Sequence, residues 1–258
     1  MAYQYLEVRE ADGLLDVLIN RPEKRNALSQ DVLGELGRCF TDAAARMDLS
    51  VATIRGAGER CFAAGGDLAE FDRMRSRPEA EQIAVNSSAA LDAIRRFPVP
   101  VVACLNGDAL GGGGELAVAC DLRIAAPHAR IAFVQGTMCI APAWGGGSDL
   151  IRLVGAAQAL RLLCRADFVA AGEAEALGLV QARCPDGEDF AGWCATFLAP
   201  FRERRPQVAR AFKALTRALV EGRSPAEVRA IEVANLVETW CHDDHWQAHD
   251  RVLKRISS

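Results

Sequence analysis

No two cysteines stand at Cys-x-x-Cys spacing, no apolar run approaches the length of a membrane span, and positive charge is not in excess. The nine cysteines are odd in number and scattered, with Cys104, Cys120 and Cys164 inside apolar stretches. They read as buried free thiols in a reducing compartment, with the cytoplasm as the expected location, and not as a disulfide framework. A membrane helix needs about 20 apolar residues in a row, and Met1-Ala2-Tyr3-Gln4-Tyr5 does not read as the start of a secretory leader. The net charge of −4 supplies no general attraction to nucleic acid or to anionic membrane. Internal repeats and low-complexity linkers are missing as well. What remains is a 258-residue chain, half hydrophobic and a quarter charged, long enough for one substantial core with a smaller appendage.

Two glycine-rich turns stand out against this background. The first is Cys61-Phe62-Ala63-Ala64-Gly65-Gly66-Asp67-Leu68, and the second runs from Asn106-Gly107 through Gly111-Gly112-Gly113-Gly114 to Glu115-Leu116. Each puts small residues where an apolar stretch gives way to a helix start. Such a turn leaves backbone N–H groups free and lets another molecule approach the main chain. Two N–H groups from two turns can converge on one oxygen and stabilise a developing oxyanion without a charged side chain. A phosphate-binding P-loop is excluded. Gly107 and Gly112 have its spacing, but Gly113 and Gly114 stand where it needs Lys and Ser or Thr.

The rest of the chain reads as strand–turn–helix units. A strand is expected over 14–20, a helix N-capped by Ser29 running to about Met47, and a buried strand over Val51–Arg55. A helix over 79–96 stops before Pro98, and a short strand over Val99–Leu105 leads into the second turn. Glu115–Cys120 reads as helical, with strands at Leu122–Ala126 and Ile131–Val134. From about residue 146 helices dominate, with breaks near Gly155, Gly172, Asp186-Gly187, Pro206 and Pro225. The expectation is a layered α/β core followed by a helical C-terminal region.

At this point the motifs resemble the crotonase superfamily, also called the enoyl-CoA hydratase/isomerase family. Asn20-Arg21-Pro22-Glu23-Lys24-Arg25-Asn26-Ala27-Leu28 is similar to its opening motif. Phe62 to Leu68 and Asn106 to Glu115 are similar to its two oxyanion turns, and Cys120-Asp121-Leu122-Arg123 and Pro142-Ala143-Trp144-Gly145-Gly146-Gly147 follow in order. The resemblance implies an α/β spiral of ββα turns over 1–195 and a helical oligomerisation region over 196–258, in a homotrimer or a hexamer of two trimers. It implies an acyl-CoA or acyl-carrier-protein thioester as substrate, with CoA as part of the substrate and no separate cofactor or metal. The oxyanion hole maps onto the N–H groups of Ala64 and Gly112, and an acid/base onto Glu115. CoA contacts map onto Lys24, Arg25, Ala27, Ala64, Gly65, Gly66, Asp67, Leu68, Gly111 and Trp144, with Lys254 as a candidate for a CoA phosphate.

One position departs from the pattern. Family hydratases hold and activate water with two glutamates. The first matches Glu115, and the second falls on Gln135, which cannot take a proton at neutral pH. Gln135 reads equally as a polar pocket residue or as a substrate-orienting group, and Asp149 is a candidate replacement for the second carboxylate. Decarboxylation of a 2-carboxyacyl-CoA needs no base to form its carbanion, and Phe133 to Gly146 also resembles the ethylmalonyl-CoA decarboxylase branch. Hydration or double-bond isomerisation with Glu115 alone are the alternatives, and a non-catalytic CoA- or RNA-binding homologue is the alternative of another class. His242, His245 and His249 share a face if 240–250 is helical, and are read as a solvated helix end in preference to a zinc site. Arg202, Arg204 and Arg205 read as a solvated or intersubunit face.

Overall fold

The computed structural model describes residues 3–256. The chain winds between two sheets. The larger has six strands, β1 (Leu6–Ala11), β2 (Leu14–Ile19), β3 (Val51–Gly56), β5 (Val101–Leu105), β7 (Leu122–Ala125) and β10 (Ala182–Arg183), side by side in that order. The smaller has four, β4 (Cys61–Ala63), β6 (Asp108–Leu110), β8 (Arg130–Ala132) and β9 (Val169–Ala170). Three times the chain leaves a strand of the larger sheet, enters the smaller one, and returns through helix: β3 to β4, β5 to β6, β7 to β8. From β2 to β10 the larger sheet is parallel. Its central strands are accordingly buried on both faces and carry continuous apolar runs, such as Val101-Val102-Ala103-Cys104-Leu105. This is the expected α/β spiral of ββα turns.

The helices close the faces. Helix α1 (Gln30–Ala43) starts at Ser29, whose Oγ accepts from the N–H of Val32 at 3.3 Å. It ends at Ala43, one turn short of the expected Met47, and Arg46 just beyond it holds Glu10 and Asp48. Helix α1 packs against α3 (Arg77–Arg95), which follows the single turn α2 (Leu68–Phe71) and begins with a capping box between Ser76 and Glu79. Strand β1 lies outside the expected set. Its hairpin turn, Asp12-Gly13, has both residues at positive φ, and the Asp-Gly pair is its sequence signal.

The second half contains α4 (Gly112–Ala119), α5 (Gly146–Val154), α6 (Ala156–Arg165), α7 (Ala171–Ala176), α8 (Phe190–Arg202), α9 (Pro206–Val220), α10 (Pro225–Trp240) and α11 (Asp243–Ile256). Two expectations are corrected here. The boundary at 195 falls inside α8, where Cys194 and Leu198 are buried with Val51, Val102, Cys104 and Ile124 of the larger sheet. So α8 packs on the larger sheet, and α9 beyond it still places Ala209 in the main core. Cys164 is exposed, unlike Cys104 and Cys120. It sits two residues past Leu162 on α6, on the far side of the helix from the buried Ala159 and Leu162.

Close approach between α4 and β4 positions the site. A Cβ on Gly113 would overlap the carbonyl of Ala63, so only glycine lets the helix lie against the strand. Gly113→Ala should therefore lower stability by about 1–3 kcal/mol through overpacking. Gly172→Ala, in an α7 position with open space around it, should be neutral or gain up to about 1 kcal/mol. Paired thermal melts check the contrast, and equal melting temperatures for the two variants would contradict it.

Candidate active site

The two glycine turns meet. Gly65 has φ +98°, and a Cβ there would lie 2.9 Å from the carbonyl oxygen of Leu110 and 3.4 Å from the nitrogen of Gly112. Gly112 is the first residue of α4, so its N–H has no partner within the helix. Gly111, at φ +52°, reverses the chain just before it, and its own N–H goes to the carbonyl of Ala132 at 2.8 Å. The donor expected on the first turn is corrected. The N–H of Ala64 is spent on the carbonyl of Arg25 at 3.1 Å. Among the described residues no acceptor takes the N–H groups of Gly65 or Gly66. The free main-chain donors are therefore those of Gly66, Gly65 and Gly112, with the α4 dipole adding positive potential behind the last.

The loop 21–28 is strapped to the first turn. Arg21 reaches the carboxylate of Asp67 at 3.0 Å and the carbonyl of Ala27 at 2.7 Å, and Lys24 lies 3.5 Å from the same carboxylate. Burial pushes the Asp67 carboxyl up, but the Arg21 hydrogen bond and the charges of Lys24 and Arg21 outweigh it and hold it below the usual range. Leu28 donates to the carbonyl of Gly65 at 2.7 Å and accepts from Asp67 at 3.2 Å. Arg25 and Asn26 both take positive φ, and the buried Asn26 amide holds the carbonyls of Ala57 and Cys61. This leaves Lys24, Arg25 and Leu68 exposed at the rim, with Ala27 half-buried and Gly65 and Asp67 inside.

Glu115 is held from two directions. One carboxylate oxygen, Oε2, accepts from the N–H groups of Trp144 at 2.9 Å and Gly146 at 3.0 Å, at the N-terminus of α5. The other, Oε1, accepts from Nε2 of Gln135 at 3.0 Å. Burial raises the pKa of Glu115 above its ordinary value, and the hydrogen bonds from Trp144, Gly146, Gln135 and Ala143 only partly offset that. Gln135 sits on the short 3-10 turn Val134–Met138, beside the start of α4. Its Oε1 is buried and has no partner among the described residues. The indole of Trp144 lies over Gly112, where a Cβ would overlap the ring.

Asp149 is not a second catalytic carboxylate. It is paired with Arg95 at 2.7 Å and Arg152 at 3.0 Å, and has no bond to Glu115. Arg95, which the sequence does not single out, also holds the carbonyl of Trp144 at 2.8 Å. That clamp fixes the main chain whose N–H groups grip Glu115. Lys254 is exposed on α11, which packs along α10 and is tied to the α9 region through Arg205–Asp244 at 3.1 Å. His242 precedes α11, so the three histidines do not share one helical face, and His245 packs between Trp240 and Trp246. Arg202 pairs with Asp12 at 2.9 Å.

Free main-chain donors from two turns, with the buried Glu115 on the helix that carries one of them, are the parts of an oxyanion-binding site. The family model described as enoyl-CoA hydratase/isomerase matches residues 9–255, and the chain belongs to that family, within the crotonase superfamily. It is 38% identical to the crotonyl-CoA hydratase of Syntrophomonas wolfei over 70% of this chain and 69% of that one. It is 34% identical to the ethylmalonyl-CoA decarboxylase of Xenopus laevis over 65% of this chain and 56% of that one. The enoyl-CoA hydratase structure from Bacillus anthracis superimposes with a TM-score of 0.90 at 27% identity, covering 98% and 97% of the two chains. The chain is thus an acyl-CoA-processing enzyme of this family.

The state of Glu115 is measurable. Its δ-carboxyl resonance in a carbon-13 titration should have its midpoint above 4.5, the ordinary value. The folded protein then binds this proton more tightly than the unfolded chain does. The associated stability is present below pH 4.5 and is lost as pH rises through the folded-state value. The melting temperature of Glu115→Gln relative to the parent should therefore rise across that interval. A midpoint at or below the ordinary value would contradict the desolvated environment.

Proposed function

We propose that this enzyme decarboxylates a 2-carboxyacyl-CoA of the ethylmalonyl or methylmalonyl type. The observation that carries the reading is the pairing of Glu115 with Gln135, in place of two carboxylates. A hydratase must take a proton from water and give one to carbon, and two carboxylates divide that work. With Asp149 committed to arginines, Glu115 is the acid/base group left at this site among the described residues. Loss of CO₂ supplies the carbanion with no base. The N–H groups of Gly66 and Gly112 receive the charge that develops on the thioester oxygen, and one group then returns one proton to C2. The similarity to a protein named ethylmalonyl-CoA decarboxylase supports the reading.

The second reading is hydration or double-bond isomerisation by Glu115 alone. It is favoured by the hydratase names of several relatives, including a short-chain-enoyl-CoA hydratase of Clostridium acetobutylicum, 35% identical over 67% of this chain. Neither reading calls for a cofactor beyond the CoA of the substrate, and both accept the thioester on a carrier protein, since the pantetheine arm is the same. The large apolar side chains exposed on α9 to α11, among them Phe212, Leu236, Trp240 and Val252, fit burial in a homotrimer or a hexamer of two trimers.

The test is turnover in D₂O with ethylmalonyl-CoA, methylmalonyl-CoA and crotonyl-CoA, read by mass spectrometry. The expected outcome is CO₂ loss with one deuterium at C2. Water addition to crotonyl-CoA with both malonyl compounds untouched would establish the hydratase instead. Glu115→Gln should lower turnover by about 10²–10⁴-fold while CoA-thioester binding persists. Unchanged turnover in that variant would remove Glu115 from the acid/base role.

A further inference from the structure

Gln135 carries the unusual atom of this site. Its amide nitrogen faces Glu115 at 3.0 Å, and its amide oxygen is buried with no partner among the described residues. A buried acceptor without a donor is costly to keep, and such atoms call for an explanation. An ionised Glu115 accounts for half of it. A carboxylate can only accept, so the amide must turn its NH₂ toward Glu115 and its oxygen away.

The opposite arrangement is equally well defined. A protonated Glu115 has an O–H to donate. It can give that bond to the amide oxygen once the amide has turned over. The turn is a rotation about the last side-chain torsion of glutamine, which is broad and two-fold. The NH₂ then faces the side where the orphaned oxygen was. The turn that carries Gln135 passes the start of α4, where Val134 lies 3.5 Å from the position of a Cβ on Gly111. An anionic group held on the side that the NH₂ faces would meet two amide donors instead of a carbonyl oxygen.

We propose that Gln135 is a proton-coupled carboxylate subsite: its amide turns over when Glu115 takes up a proton, and so binds the substrate carboxylate only when the acid needed later is already loaded. The proposal deepens the decarboxylase reading and rests on it for the identity of the substrate. The chemistry balances. The bond between C2 and the carboxylate carbon breaks, and its electron pair passes into the thioester enolate as CO₂ leaves. The proton on Glu115 moves to C2, which restores the ionised glutamate and returns the amide to its first orientation. One solvent proton is consumed per turnover, and nothing is oxidised or reduced.

Among the described residues, the neighbouring charges are already committed to other partners. The groups against the Glu115 carboxylate are the main chain of Ala143, Trp144 and Gly146 at the entry to α5 and the amide of Gln135 from the 134–138 turn. On the elements packed around them, Arg95 of α3 is bound to Asp149, Asp92 and the Trp144 carbonyl. Asp149 of α5 is bound to Arg95 and Arg152. Arg123 behind α4 is bound to the carbonyls of Cys120 and Leu179, and Asp67 is bound to Arg21 and Lys24. Burial raises the proton affinity of Glu115, which lowers the cost of its loaded state.

The probe is 2-sulfobutyryl-CoA, which keeps the negative charge but cannot lose CO₂, with butyryl-CoA as the uncharged control. Calorimetric titration of the full-length enzyme in buffers of different ionisation enthalpy counts the protons taken up on binding. The sulfonate should bind with uptake of about one proton, and its Kd should rise about tenfold per pH unit above the free-enzyme pKa of Glu115. Butyryl-CoA should show neither effect. In Gln135→Leu the sulfonate should lose about 10–100-fold in affinity together with its proton uptake, with butyryl-CoA binding kept. Sulfonate binding by the parent enzyme without proton uptake would overturn the proposal. So would unchanged sulfonate affinity and uptake in Gln135→Leu, which would show that the ligand charge acts on Glu115 directly. The two readings fail separately. CO₂ release without proton uptake on binding leaves the decarboxylase standing and removes the subsite. Proton-coupled sulfonate binding without CO₂ release keeps the subsite and removes the decarboxylase.

Discussion

The structure depends on two stretches of main chain being allowed to touch. Gly65 lies against Leu110 and Gly112, and Gly113 lies against the carbonyl of Ala63. Any side chain at these points would force the two windings apart. With the contact in place, the N-terminus of α4 comes up beside the first turn, and free N–H groups from both face one region. The spiral architecture supplies this without special pleading, since each winding carries one strand from the larger sheet into the smaller one and ends it in a turn. The glycines are the condition for packing and for the site at once, because a backbone donor is useful only if a substrate can reach it.

A second constraint follows from what α4 carries. Glu115 is buried on a helix whose first turn is glycine, and its charge has to be met by other dipoles. The chain meets it with N–H groups at the start of α5 and with the Gln135 amide, and Arg95 holds the α5 approach in place through the Trp144 carbonyl. These are partial charges and not a counter-ion. They hold the carboxylate in position while leaving its proton affinity raised. On the proposed reading, a well-gripped carboxyl with raised proton affinity suits a reaction whose carbanion arises without a base and whose last step needs an acid.

Family membership sets the scaffold, and the proposed reaction turns on position 135. The family fold accommodates several reactions that share an enolate, and fold alone does not choose among them. A second glutamate there would place two carboxylates at one buried spot, where one of them must hold its proton or take part in water chemistry. Glutamine keeps the size and polarity and removes the charge. On the proposed reading, that leaves room for an anionic substrate group in place of an activated water.

Much of this was legible in sequence because it is local. Ser29 as a cap, the apolar runs of β3 and β5, the strand-to-helix passages at both glycine turns and the helical second half all follow from short patterns. Glu115 and the departure at 135 came into view only through the family resemblance, and not from a local pattern. The hairpin at Asp12-Gly13 was legible in principle, since that dipeptide is a turn signal. Other features could not be read that way. The strand Cys61–Ala63 runs into Ala64, whose donor is consumed by Arg25, a residue 39 positions earlier, and that shifts the free donors to Gly65 and Gly66. Asp149 looked available until Arg95, 54 positions earlier, claimed it. The partnership of Gln135 with Glu115 spans 20 residues. By itself, the sequence determined which residue types were present for the chemistry and where the chain could turn, because those depend on side-chain identity and local backbone freedom. Only the tertiary structure decided which hydrogen-bonding groups were already satisfied and which were left for a substrate, because each group has few bonds to give and its partner comes from a distant winding.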